Sequence, residues 1–369
     1  MIREEINEIK KQFNKDTNVI TKYAGCYVDA EKNIKFMTKD AFYSLPEEDA
    51  FKYEEIFRKT LSGAVGKSLL TLDFSIDEEG ADTPHAFLMK LRESRLDDEL
   101  ILDEFFRKVI DAYEYAENYY IILVDMMYDI PGKSSDKLAM DDASNEVYHG
   151  LLCSICPVTL SKPALSYFAN EGVIANRIRD WIVGMPMHGF LFPAFTDRTT
   201  DIHAALYFSK KNDALNESFI NEIIGVNPPM SSVMQKETFE AVLYDVLRDE
   251  LTMPVMSALS SNMLDLIAEN SQNPEPLVLT KNDMVKLISK SGVSDEAVES
   301  YEKSADADIE VLADNVVDTR KFEVKTPGIT VKTDTDSIEK LETRVIDGRK
   351  YLLVPIEDDV EVNGMPVKA

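Results

Sequence analysis

Cysteine is scarce, with three in 369 residues, and an odd count in a chain this long makes no disulfide framework, so a reducing compartment is expected. Tryptophan occurs once and histidine four times. Basic residues are few: 40 Lys and Arg face 67 Asp and Glu, leaving a net charge of −27 that repels phosphate backbones and anionic membrane surfaces unless cations are segregated on one face. That excludes a simple basic protein that coats DNA. The apolar run at residues 119–124 is far short of the eighteen or so residues of a membrane span, so no membrane is expected as a partner. The N-terminus MIREEINEIKKQF is a charged amphipathic pattern without the apolar core of a secretory signal, which points to the cytoplasm. GxSxG, HExxH and GxGxxG signatures are absent, as are internal repeats and low-complexity tracts.

What is there is an ordinary globular composition, 44% hydrophobic and 29% charged, enough apolar matter for a real core. Helical spacing predicts helices over residues 2–13, 47–61, 84–91, 97–115, 217–224, 235–247 and 257–270. Strands are expected at residues 24–28, 68–74 and 119–124, the last as a central strand because its apolar run is unbroken. Residues 178–185 read as a short helix or a strand around Trp181, and residues 189–195 with 204–208 as a strand pair around a polar loop. The polar, doubly proline-punctuated stretch 271–276 is the expected boundary. Thr280 with Asp283, and Ser294, are cap signals for two short helices after it. From residue 321 onward alternating strands are separated by Pro327-Gly328, Asp347-Gly348 and Asn363-Gly364, which are hairpin turn chemistry. The expected fold is α+β, with a main domain at 1–270, a helical segment at 277–320 and an antiparallel β-meander at 321–369.

Four groups of residues invite a chemical reading. Residues 63–68, Gly-Ala-Val-Gly-Lys-Ser, suggest a phosphate loop, but two residues rather than four separate the glycines and the stretch leaves a helix for a strand, so a helix-terminating glycine is the reading. Cys153 and Cys156 have the spacing of a redox dithiol or half a zinc site, but their apolar neighbours favour two small buried hydrophobes, with metal or redox chemistry as the alternative. Asp197, Arg198, Asp201 and His203 form the densest acid–base cluster, with Asp201 and His203 the candidate catalytic pair. Arg177 and Arg179, beside Asp180 and Trp181, are candidate anion-binding residues, with structural ion pairs as the alternative. No cofactor is called for. The acidic stretch 295–318 is a solvated helix face or a surface for a basic partner.

The segments YYIILVDMMYDIPGKSSD, LLCSICPVTLSKPALSY, RIRDWIVGMP and GFLFPAFTDRTTDIH resemble those of an uncharacterised bacterial family, number forty-three-seventeen among the catalogued domains of unknown function, over nearly the whole chain. The C-terminal half also resembles nucleoid-associated NdpA-type proteins, through Phe219, Ile224-Gly225, Gln235, Gly292-Val293-Ser294 and the strand pair at residues 328–331 and 344–355. That second resemblance implies a non-enzymatic, nucleoid-associated-like binding protein acting on DNA or a DNA-processing partner. The rivals are an enzyme or anion-binding protein using the Arg177/Arg179 and 197–203 clusters, and an acidic adaptor for a basic protein. A homodimer, through the N-terminal helix or a β-edge, is an open expectation.

Overall fold

A computed structural model describes every residue except 18, 134–138, 141–145, 214, 305–308, 357–359, 363–364 and 368–369; the expected Asn363-Gly364 turn and part of the acidic stretch thus lie outside the described residues. The chain divides into two compact units, Met1–Ser231 and Ser232–Ala369.

The first unit is built on an eight-stranded antiparallel sheet. Its strands are β1 (Ile20–Val28), β2 (Ile34–Ala41), β3 (Leu69–Asp73), β4 (Tyr119–Ile130), β7 (Glu146–Leu160), β10 (Trp181–Val183), β11 (His188–Phe192) and β14 (Ala204–Ser209). They run in the order β2-β1-β4-β7-β11-β14-β3, with β10 paired to the end of β7. Small antiparallel pairs lie outside this sheet: β5 (Gly132–Lys133) with β6 (Ala139–Met140), β8 (Leu165–Phe168) with β9 (Val173–Asn176), and β12 (Ala194–Thr196) with β13 (Thr199–Asp201).

β4 and β7 pair over twelve residues at the centre of the sheet. Their apolar runs are continuous because helices cover both faces, so successive side chains are buried alternately on either side. Ile121, Leu123, Cys153 and Ile155 enter the core beneath α3 (Pro84–Glu93), α4 (Glu99–Ala112) and the helical turns at residues 217–224. Ile122, Val124, Leu152 and Cys156 enter the opposite core, beneath α1 (Arg3–Lys11) and α2 (Glu47–Thr60).

Local signals account for the helix ends. Thr83 accepts a bond from the Ala86 amide and Pro84 occupies the first turn of α3, while Asp98 accepts from the Leu100 and Ile101 amides to start α4. The helical turn α5 (Glu217–Phe219) continues through residues 220–224 and is closed by Gly225 at φ +94°, in the left-handed region where a side chain is disfavoured. Residues 62–68 form a turn from α2 into β3, but α2 ends at Thr60 with Leu61 at its C-cap, so the glycines shape the turn rather than close the helix.

The second unit holds α6 (Ser232–Leu247), α7 (Met253–Glu269), α8 (Lys281–Lys290), α9 (Asp295–Lys303) and α10 (Ala313–Val316), with a short pair of β15 (Val278–Leu279) and β16 (Val311–Leu312). Phe239, Leu243, Leu259, Met263, Met284, Leu287, Ile288 and Tyr301 share one core. The division therefore falls before residue 232 rather than at 271–276. The proline-rich stretch is a surface turn, secured by Asn270 donating to the Glu275 carbonyl at 3.2 Å, between helices whose apolar stripes need one another. The predicted caps are present: Thr280 and Asp283 bond reciprocally, and Ser294 accepts from the Ala297 amide.

The C-terminal antiparallel strands form three successive two-stranded hairpins: β17 (Lys321–Thr326) with β18 (Ile329–Asp334), β19 (Glu342–Ile346) with β20 (Arg349–Leu353), and β21 (Val360–Val362) with β22 (Met365–Val367). Asp347 and Gly348 both have positive φ, 50° and 78°, as the two-residue turn between β19 and β20 requires. The α+β class expected from sequence is what the chain adopts. Among the described residues no helix is long and apolar enough to cross a membrane.

Candidate functional site

A buried polar cluster lies outside every motif read from the sequence. Asp125 sits on β4 within the apolar core face, fully buried. His149 on β7 places Nε2 2.6 Å from Asp125 Oδ1, so the ring N–H donates to the carboxylate. Thr21 donates its hydroxyl to Asp125 Oδ2 from a bulge in β1, where the register shifts between Ile20 and Lys22. Arg95 Nε lies 3.7 Å from Asp125 Oδ2, and Arg92 Nε donates to the His149 carbonyl at 2.7 Å. Arg95 and Leu96 both stand at positive φ, 52° and 59°, an uncommon conformation for such residues. Burial alone would raise the Asp125 carboxyl; the bonds from His149 and Thr21 and the Arg95 charge outweigh it and hold the group below the usual carboxylate range.

The cluster has the carboxylate–imidazole half of a catalytic triad but not the other half. Thr21 bonds the carboxylate rather than the imidazole, and no hydroxyl or thiol among the described residues bonds the second ring nitrogen of His149. Its chemistry is that of a buried charge neutralised in place. The sequence signal for it was a lone carboxylate following the most apolar strand run, YYIILVD.

The 197–203 cluster is a hairpin tip latched to α1. Asp197 and Arg198 are the two positive-φ residues of the β12–β13 turn. The Asp197 amide donates to Glu5 Oε1 at 2.6 Å, and Arg198 forms an ion pair with Glu8 at 2.9 Å while also donating to the Pro131 carbonyl. Asp201 accepts from the His203 backbone amide, and the exposed His203 ring pairs with Glu79 at 2.7 Å. The Asp201 carboxylate thus meets only the His203 backbone, and the imidazole is bonded to Glu79 rather than to Asp201.

Arg177 and Arg179 lie on an exposed excursion between β7 and β11. Arg179 Nε donates to the Ser161 carbonyl at 2.7 Å, past the far end of β7. Arg198 instead contacts Pro131, beside the Ile130–Glu146 pair at the other end of that strand. Fifteen residues of β7 intervene, about 45 Å of strand at roughly 3.3 Å per residue. The two clusters do not form one site.

Cys153 and Cys156 are buried on opposite faces of β7, the first in one core and the second in the other. Three residues apart on a strand, with period two, they point apart and cannot share a metal or a disulfide. Burial pushes both thiols up, and the Cys26 thiol to about 12. No group of three or more metal-ligating side chains occurs among the described residues.

The model of a family described as a domain of unknown function, DUF4317, matches residues 1–365. The chain belongs to the DUF4317 family. No curated protein matches it. The kinship covers nearly the whole length of this DUF4317 protein. In the second unit the conspicuous surface is the hairpin region: residues 319–353 carry eight Lys and Arg against six Asp and Glu, a local +2 in a chain of −27. On β19–β20, Arg344 faces Tyr351, Val345 faces Lys350 and Ile346 faces Arg349, all exposed except where Leu352 and Leu353 turn inward.

Proposed function

We propose that this DUF4317 protein is a non-enzymatic, nucleoid-associated-like binding protein that contacts DNA through its C-terminal hairpins. The observation carrying the reading is the local cationic excess on hairpins with at least one exposed face, set against the acidity of the rest of the chain. Two-stranded hairpins are marginal in water on their own, so strands kept in this form suit a surface that another molecule covers. Arg344 and Arg349 share a face with Tyr351 and Lys350 lies on the opposite face, so the hairpin offers phosphate-binding charge on both faces and an aromatic ring on one. The resemblance of this half to NdpA-type proteins points the same way. The separation of the Arg177/Arg179 and 197–203 clusters removes the support that the enzyme reading drew from their convergence.

The test is a gel shift with the full chain across a salt series. Binding at low salt that weakens with slope of about −0.9 per phosphate neutralised is expected. The triple variant R344E/R349E/K350E should weaken it at least tenfold. No shift at low salt, together with native purification free of nucleic acid, overturns the reading. Recovery of a DNA-processing protein without DNA would move the contact to that protein.

A further inference from the structure

Residues 161–187 leave the sheet after β7, fold through β8 and β9 and return as β10, making an arm whose apolar side chains face solvent. Leu165, Ile174 and Ile178 are 70%, 70% and 72% exposed, and Tyr167 and Trp181 67% and 54%. An apolar surface of this extent on one element marks an interaction site. Its composition is that of an interface centre, with Trp181, Tyr167, Arg177 and Arg179, the residue types that carry most binding energy. Lys162, Arg177 and Arg179 outnumber Glu171 and Asp180, and none of the three cations has an ion-pair partner among the described residues.

The same unit holds a groove of about 790 Å³ between the turn after α1 and the start of α2. Phe42, Tyr43, Leu45 and Phe51 give it an apolar wall, and Asp16, Glu47, Glu48 and Glu54 a carboxylate rim. Its two cations are Lys15 and Lys52, of which Lys52 is bound to Glu55 at 3.1 Å. Asp16, Glu47 and Glu48 form no ion pair with any described residue. The groove thus offers what the arm lacks: apolar cover and unpaired negative charge.

We propose that the arm of one copy of this chain docks in the groove of a second copy. The arm is not in the groove of its own molecule, since its apolar residues are exposed. Pairing arm against arm would bring Arg177 and Arg179 of both copies together, whereas arm against groove pairs cations with carboxylates. Exchanged reciprocally about a two-fold axis, the contact occurs twice and closes, giving a dimer rather than a filament. The surfaces belong to the first unit, so this inference stands apart from the DNA reading of the hairpins.

Sedimentation velocity of the full chain over a wide concentration range tests it. The unmodified protein should be a dimer. Both R177E/R179E and E47K/E48K should weaken association at least tenfold, since like charges then meet, and the fourfold variant carrying both should restore it. A photo-crosslinker at position 181 of the otherwise unmodified chain should attach to residues 42–54 of the other copy, a readout independent of whether the groove variant folds. A monomer at every concentration overturns the proposal. So does a dimer indifferent to either reversal, or a crosslink confined to the other arm.

Discussion

Acidification should cost this protein stability through one buried imidazole. His188 opens β11, where its Nδ1 accepts a bond from the Tyr113 hydroxyl at 2.8 Å and its ring stacks on Tyr207 with centroids 6.2 Å apart. Burial, reinforced by the Lys211 charge, pushes its pKa down to about 4. An unfolded chain titrates near 6.5, so as pH falls the unfolded state takes the proton first. The stability owed to the neutral ring is full above about pH 6.5, declines below it and levels off below about pH 4. Between about pH 7 and pH 4.5 the loss is about 2 kcal/mol, from 1.36 kcal/mol per unit of displacement. Urea unfolding at the two pH values, with hydrogen exchange of β11 and β14 to read the first unit alone, measures it. His188→Asn lacks the titrating ring, so its loss of stability between the two pH values should be smaller than that of the unmodified chain by about 2 kcal/mol. Other groups cancel in that difference, including Glu54, whose carboxyl burial pushes up. If the variant loses as much stability on acidification as the unmodified chain, the argument fails.

Two further outcomes follow from the buried groups of the sheet. His149→Leu removes the ring that bonds the fully buried Asp125, and should cost about 3–5 kcal/mol, the cost of leaving a buried charge without its partner; a loss under about 1 kcal/mol in the same unfolding assay would mean that Thr21 and Arg95 suffice. All three cysteines should resist a maleimide in the native protein and react once it is denatured, because buried thiols with raised pKa present little thiolate; mass spectrometry showing rapid native labelling of Cys153 or Cys156 would contradict their burial.

Much of the fold was legible because its local chemistry agrees with its packing. Pro84, Thr280 with Asp283, Ser294, and Asp347-Gly348 each specify an end or a turn, and each performs that role. β4 was recognisable from its unbroken apolar run. β7 was less so, because Pro157 interrupts the pattern; the strand tolerates it where pairing to β11 stops at Ile155 and pairing to β10 starts at Val158. The division at residue 232 could not be read, because Pro274 and Pro276 mark a turn as readily as a linker, and only the shared core of Phe239 and Met284 decides between them. The polar clusters misled for a related reason. Asp197 to His203 are close in sequence because they form a hairpin tip, whereas Thr21, Asp125 and His149 meet only when three strands pair.

The strand order also sets a timetable for synthesis. Among the described residues β3 pairs with β14 alone, so Leu69–Asp73 has no strand partner until residue 209 has been made. At roughly 5–20 residues per second that wait is on the order of ten seconds, with the hydrogen-bonding edge of an apolar strand uncovered throughout. During the same interval β1, already paired locally with β2, waits for β4. Nascent chains are therefore the form of this protein most in need of a holding chaperone, and slowing translation between residues 73 and 209 should raise its aggregated fraction more than slowing it afterwards.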